Sequence, residues 1–103
     1  MDNYMEVKKG IPSRYRRFIF LDSTDCAAEK AFFRCKVPVK VIETWCRNDQ
    51  PYHFAVCDVL KKYVDRFKEA MEIHKDNMLI LGHTDYQEAC LNLFGELLTE
   101  MEK

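Results

Sequence analysis

The sequence predicts an α+β domain: an antiparallel sheet of three to five strands with two helices, the last helix C-terminal. Three observations predict it. Val37 to Lys62 reads as two alternating strands around a polar turn, running straight into an amphipathic helix. Thr84-Asp85-Tyr86-Gln87 has the form of a capping box ahead of a second apolar stripe. The chain of 103 residues is 48% apolar and 32% charged, which suits one folded domain with a modest core and not a disordered chain. Residues 1–103 therefore read as a single domain.

Residues 1–15 are polar and mixed, broken by Gly10 and Pro12, and read as a loosely held N-terminal arm. Arg16 to Leu21 is a short apolar run rich in β-formers, hence a strand. After it, Thr24 is placed either to cap a short helix through residues 25–30 or to sit in a long hairpin loop. Ala31 to Lys36 resumes β character, and Pro38 marks an edge, a bulge or a strand break because it lacks a ladder N–H.

The next strand is expected over Val39 to Cys46, and its return over Tyr52 to Cys57, around turn residues 47–51. Asp58 is placed to cap a helix whose apolar stripe is Leu60, Tyr63, Val64, Phe67 and Met71, ended by Asp76 and Asn77. Met78 to Leu81 is short and wholly apolar, the mark of a buried strand. A last helix follows from Asp85 to about Met101. Gly95 inside it offers a point of close approach for a neighbour.

The hairpin presents two faces. Simple alternation puts Val39, Val41, Glu43 and Trp45 on one side with Tyr52, Phe54 and Val56. Lys40, Ile42, Thr44 and Cys46 fall on the other with His53, Ala55 and Cys57. Helices on the larger, first face would make Trp45 and Phe54 core. Helices on the smaller face would leave Trp45, Tyr52 and Phe54 exposed beside Arg47 and Asp49. Aromatic anchors with a nearby arginine suit a protein partner, so these five residues are the candidate partner-binding set.

Little in the chain suggests covalent chemistry. Cys26, Cys35, Cys46, Cys57 and Cys90 are separated by 9, 11, 11 and 33 positions, with no short pair to start a zinc site. Placing Trp45 opposite Phe54 sets Cys46 against His53 and Cys57 against Ile42, which argues against a Cys46–Cys57 disulfide. His53 and Cys57 share a face of one strand, and Asp22 and Asp25 share a loop. Each is a weak lead to catalysis or metal binding. Gly82 before the Thr84 cap offers a helix start that could hold an anion. No Gly-rich phosphate loop is present. The residues point to no catalytic group, no metal and no cofactor.

The net charge of −1 gives no whole-molecule attraction to nucleic acid or an anionic membrane. The N-terminal part is locally basic, however. Lys8, Lys9, Arg14, Tyr15, Arg16 and Arg17 combine phosphate-seeking cations with a stacking ring, and form the candidate nucleic-acid site of an alternative reading. No apolar run nears the ~18 residues that span a bilayer, and MDNYMEVKKG has no signal-peptide core. A cytoplasmic location with reduced thiols is expected.

ILGHTDYQEACLNLFGEL resembles the G-x-T-x-x-E-A segment of HicB-like antitoxins, the likeness resting on Gly82, Thr84, Gln87 and Glu88 with Ala89. The upstream antitoxin strand pattern is missing, so that function is not carried over. In general style the chain is similar to small phage and mobile-element proteins of the anti-CRISPR type. That resemblance implies a non-enzymatic inhibitor that occupies a surface of a protein partner, a nucleic-acid-handling effector being one such partner. The leading expectation is thus a protein-binding module. The alternative is a small nucleic-acid-binding or antitoxin-like regulatory factor using the basic segment.

Overall fold

The structure, a computed structural model, describes residues 4–8, 13–23, 26–46 and 52–80, together with 95, 96 and 99. Its elements are β1 (Tyr4–Val7), β2 (Tyr15–Ser23), α1 (Ala27–Arg34), β3 (Val39–Cys46), β4 (Tyr52–Leu60), a 3-10 turn (Lys61–Tyr63) and α2 (Val64–Ile80). The four strands form one antiparallel sheet in the order β1-β2-β4-β3, and α2 is C-terminal to all of them. The architecture is α+β, as expected.

The first correction concerns the N-terminal arm. Residues 4–7 are a strand, paired with β2 from Tyr4 opposite Phe20 to Val7 opposite Arg17. Tyr4 drives this docking. Its ring meets Phe18 edge-on at 5.8 Å and Phe67 edge-on at 5.4 Å. Tyr15 also belongs to a strand, β2, opposite Leu60.

The second correction is at 31–34, which is helix where 31–36 read as strand; over 27–30 the helical one of the two alternatives holds. Two alanines, a glutamate and a lysine favour a helix at its start. Ala28, Ala31 and Phe32 then fall on one face and are buried. Thr24 lies outside the described residues. The caps that α1 uses come from β2: the Asp22 Oδ1 accepts the Ala28 N–H at 2.8 Å, and the Ser23 hydroxyl oxygen accepts the Ala27 N–H at 3.3 Å.

At its other end α1 closes in a Schellman motif. The Val37 N–H reaches the Phe32 carbonyl at 2.9 Å, and the Lys36 N–H reaches that of Phe33 at 3.2 Å. Lys36 takes the left-handed position at φ 55°, where a Cβ is unfavourable. Lys36→Gly is therefore expected to raise stability by about 1 kcal/mol, read as a higher urea midpoint at unchanged slope.

Three further boundaries differ from expectation. β4 continues through Asp58 to Leu60, so Asp58 is a strand residue, not a helix cap. Arg17, its neighbour on β2, holds it there: Nε donates to Oδ1 at 2.8 Å and Nη2 to Oδ2 at 3.0 Å. Met78, Leu79 and Ile80 continue α2 and do not form a strand; with no Gly or Pro before Gly82, nothing local ends the helix earlier. Of the last expected helix, Gly95, Glu96 and Thr99 are described. They are helical and exposed, and the Thr99 hydroxyl donates to the Gly95 carbonyl at 2.8 Å. Among the described residues, a Cβ at Gly95 would meet nothing within 4 Å.

The hairpin register places Trp45 opposite Phe54 and Cys46 opposite His53, as the alternation predicts. Between Val41 and Glu43 the register shifts by one residue, so Cys57 faces Val41 and not Ile42. That bulge inverts the alternation of everything before it. Val39 and Val41 join the face of Val59 and Cys57, while Glu43 and Trp45 stay with Val56 and Phe54.

Both helices pack on the face of Ala55 and Cys57. Phe67 of α2 stacks on Phe18 at 4.5 Å and on Phe32 of α1 at 5.5 Å, and Phe32 meets Phe20 edge-on at 5.3 Å. Helices thus cover the smaller hairpin face, and Ile42 is not under them: it lies exposed at the bulge. The opposite face is buried as well at Ile19, Leu21, Phe54 and Val56, none of which belongs to the cluster around the helices.

Candidate functional site

Strand β3 is at the end of the described sheet, and Lys40 to Thr44 are exposed on both of its faces. Only β4 pairs with it, so along its other side the backbone groups of this stretch have no described strand partner. Beside it runs α1, whose Phe32 turns into the core while the next residue, Phe33, stands 89% exposed. Between them lies a groove of about 410 Å³ with apolar walls from Phe20, Phe32, Val37, Val39 and Ala55. Phe33 and Val41 border it as an apolar rim, and Ile42 follows Val41 on the strand: Val41 is 52% and Ile42 44% exposed. Large apolar side chains held in water at one edge are unusual on a small domain and suit contact with another chain.

The polar end of the groove is made by Asp22, Cys26, Glu29 and His53. Asp22 and His53 are cross-strand neighbours on β2 and β4. His74 of α2, fully buried, donates from Nε2 to the Leu21 carbonyl at 2.7 Å. Burial raises the Asp22 carboxyl above its ordinary value, against the Ala28 N–H, then His74, His53 and the Ser23 N–H, which favour its ionised form. Loss of solvent and the carboxylates of Asp22 and Glu29 push the Cys26 thiol up. At neutral pH this thiol is protonated and a poor nucleophile, although it sits beside a histidine and an aspartate.

Cys57, the other thiol considered for chemistry, is fully buried under the helices, and burial pushes it far up. Asp25 lies outside the described residues, and Asp22 spends Oδ1 on two backbone N–H groups. Among the described residues no group of three or more His, Cys, Asp or Glu is placed to hold a metal ion. No described helix is long and apolar enough to cross a membrane.

The anchor set read from the sequence is not assembled as expected. Phe54 is 3% exposed, on the central strand β4 with Leu21 and Trp45 as its cross-strand neighbours. Trp45 is half-buried, and Tyr52 is a β4 residue opposite Ser23. Arg47 and Asp49 lie outside the described residues, as does the helix start at Gly82.

In the basic segment two of the cations are paired. Arg16 pairs with Glu6 of β1, and Arg17 makes its two-pronged bond to Asp58. Asp58 raises the Arg17 pKa through that bond. Lys8 and Arg14 are exposed, Tyr15 is half-buried, and Lys9 lies outside the described residues.

Sequence reasoning missed Phe33, Val41 and Ile42. A partial signal for the first was present: adjacent helix residues point about 100° apart, so Phe32 and Phe33 cannot both be centred on one core. Comparison with protein-family models, with curated proteins and with solved structures finds no match for this chain.

Proposed function

We propose that this chain is a non-enzymatic protein-binding module that docks an extended stretch of polypeptide along β3 and the α1–β3 groove. The observation that carries this reading is the exposed apolar rim of Phe33 and Val41 on that groove, continued along β3 by exposed Ile42. An open strand edge supplies backbone hydrogen bonds, and a neighbouring groove accepts alternate side chains of the added segment. The rim supplies the apolar anchor, and the exposed charges of Lys30, Arg34, Lys40 and Glu43 around it set register. The docking surface therefore lies one strand away from Phe54, with Trp45 at its far end. The nucleic-acid alternative is weaker, because two of its cations already have carboxylate partners.

Selection from a random peptide library tests the proposal. Peptides enriched on the wild-type chain are expected to lose at least about tenfold in affinity for Phe33→Asp. The ring is exposed, so that variant should keep its stability within about 0.5 kcal/mol. Selected peptides that bind Phe33→Asp as well as wild type would refute the docking surface. So would a selection that yields no binder.

A further inference from the structure

We propose that the segment docked on β3 is the β3 strand of a second copy of this chain, paired edge to edge and antiparallel about a two-fold axis at the Ile42 bulge. The inference rests on the docking surface above and names its occupant.

Two identical strands that extend a sheet antiparallel are related by an axis perpendicular to it, so paired residues must share a face. In a regular strand, residues of the same face are an even number apart. The bulge changes this. Lys40 lies opposite Asp58 on β4, and Glu43 lies opposite Val56, two residues from Asp58 and on the same face. Lys40 and Glu43 therefore share a face although they are three apart. By the same shift Val39 and Thr44, opposite Val59 and Ala55, share the other face.

A two-fold centred between Val41 and Ile42 exploits both matches. Lys40 of each copy meets Glu43 of the other, and Val39 meets Thr44. Val41 and Ile42, 52% and 44% exposed in one copy, lie against Ile42 and Val41 of the other at the axis. The pairing forms two opposite-charge cross-strand pairs and buries the most exposed apolar residues of the strand. A lone lysine on an edge strand ordinarily resists pairing. Here the bulge supplies its counter-charge in the same strand. The axis also places α1 and Phe33 of both copies on one side of the joined eight-stranded sheet.

Sedimentation equilibrium of the full chain, from micromolar to about 1 mM, gives the test. The wild type is expected to dimerise. Lys40→Glu and Glu43→Lys each turn two attractive pairs into two repulsive ones, and each should weaken the dimer about tenfold. The double variant K40E/E43K restores opposite charges and should return to within about threefold of wild type. Both positions are exposed, and matched thermal melts of the monomers exclude misfolding as the cause. A monomer throughout that range would overturn the inference. So would a dimer indifferent to the single swaps, or a double variant no tighter than the singles. Peptides that depend on Phe33, found together with a monomeric chain, would leave the docking surface standing and remove only the second copy as its occupant.

Discussion

Phe67→Ala is expected to destabilise the chain by about 4 kcal/mol, the middle of the range for removing a buried aromatic ring. Phe67 is fully buried, and its ring joins four elements at once: Tyr4 of β1, Phe18 of β2 and Phe32 of α1 against α2 itself. Three ring contacts are lost together, and α2 cannot close the void without pulling away from either β1 or α1. A domain of this size holds roughly 5–15 kcal/mol in total, so one substitution removes a large share of it. Equilibrium urea unfolding followed by circular dichroism measures the effect. Phe67→Leu, which keeps most of the volume, should recover more than half of the loss. A cost below about 1 kcal/mol for the alanine variant would mean that this cluster is not the centre of the core.

Asp22→Ala is expected to cost about 2 kcal/mol, by a different route. The Asp22 Oδ1 accepts the N–H groups of Ser23 and Ala28, both at 2.8 Å, and so ties the end of β2 to the first turn of α1. Alanine leaves two buried donors without that acceptor. Asp22→Asn keeps an acceptor oxygen in place and buries no charge, so it should be at least as stable as wild type at neutral pH.

The pH dependence separates charge from capping. Burial holds the Asp22 carboxyl above its ordinary value, so the native state binds its proton more tightly than the unfolded chain does. Its contribution to stability therefore improves as pH falls through the raised native value, and is complete below the ordinary carboxylate value. It is lost again as pH rises through the native value. Any advantage of Asp22→Asn over wild type should shrink through that same window on acidification. An advantage that grew on acidification would contradict the burial of an ionised carboxyl at this position.

Legibility differed from element to element for physical reasons. The β3–β4 hairpin was readable with its Trp45–Phe54 and Cys46–His53 partners, because alternation and turn residues are local signals. The helix after it was readable from its stripe of Val64, Phe67 and Met71. The second half of α1 was misread because Phe32, Phe33 and Cys35 carry β propensity in isolation. Burial of Ala28, Ala31 and Phe32 on one face and caps borrowed from Asp22 and Ser23 override that preference. β1 looked like an arm because its main aromatic contacts, Phe18 and Phe67, lie far along the chain.

The candidate site was the least legible part. Phe54, core on one reading of the hairpin and an exposed anchor on the other, is core, while Phe33 looked like a strand residue and is the most exposed large apolar side chain of the described chain. Arg16 and Arg17 looked like free cations. Their partners, Glu6 and Asp58, are 10 and 41 residues away, so no local pattern pairs them.

The sequence by itself determined the class of the fold, the hairpin and the amphipathic helix that follows it, because those follow from periodicity within a dozen residues. Only the tertiary structure decided which sheet face the helices cover, where the Ile42 bulge inverts the alternation, and which side chains are left at the β3 edge. Periodicity states that a residue prefers burial and is silent on what buries it. That choice is made jointly by strands and helices distant in the chain, and one extra residue in a strand is enough to reverse it.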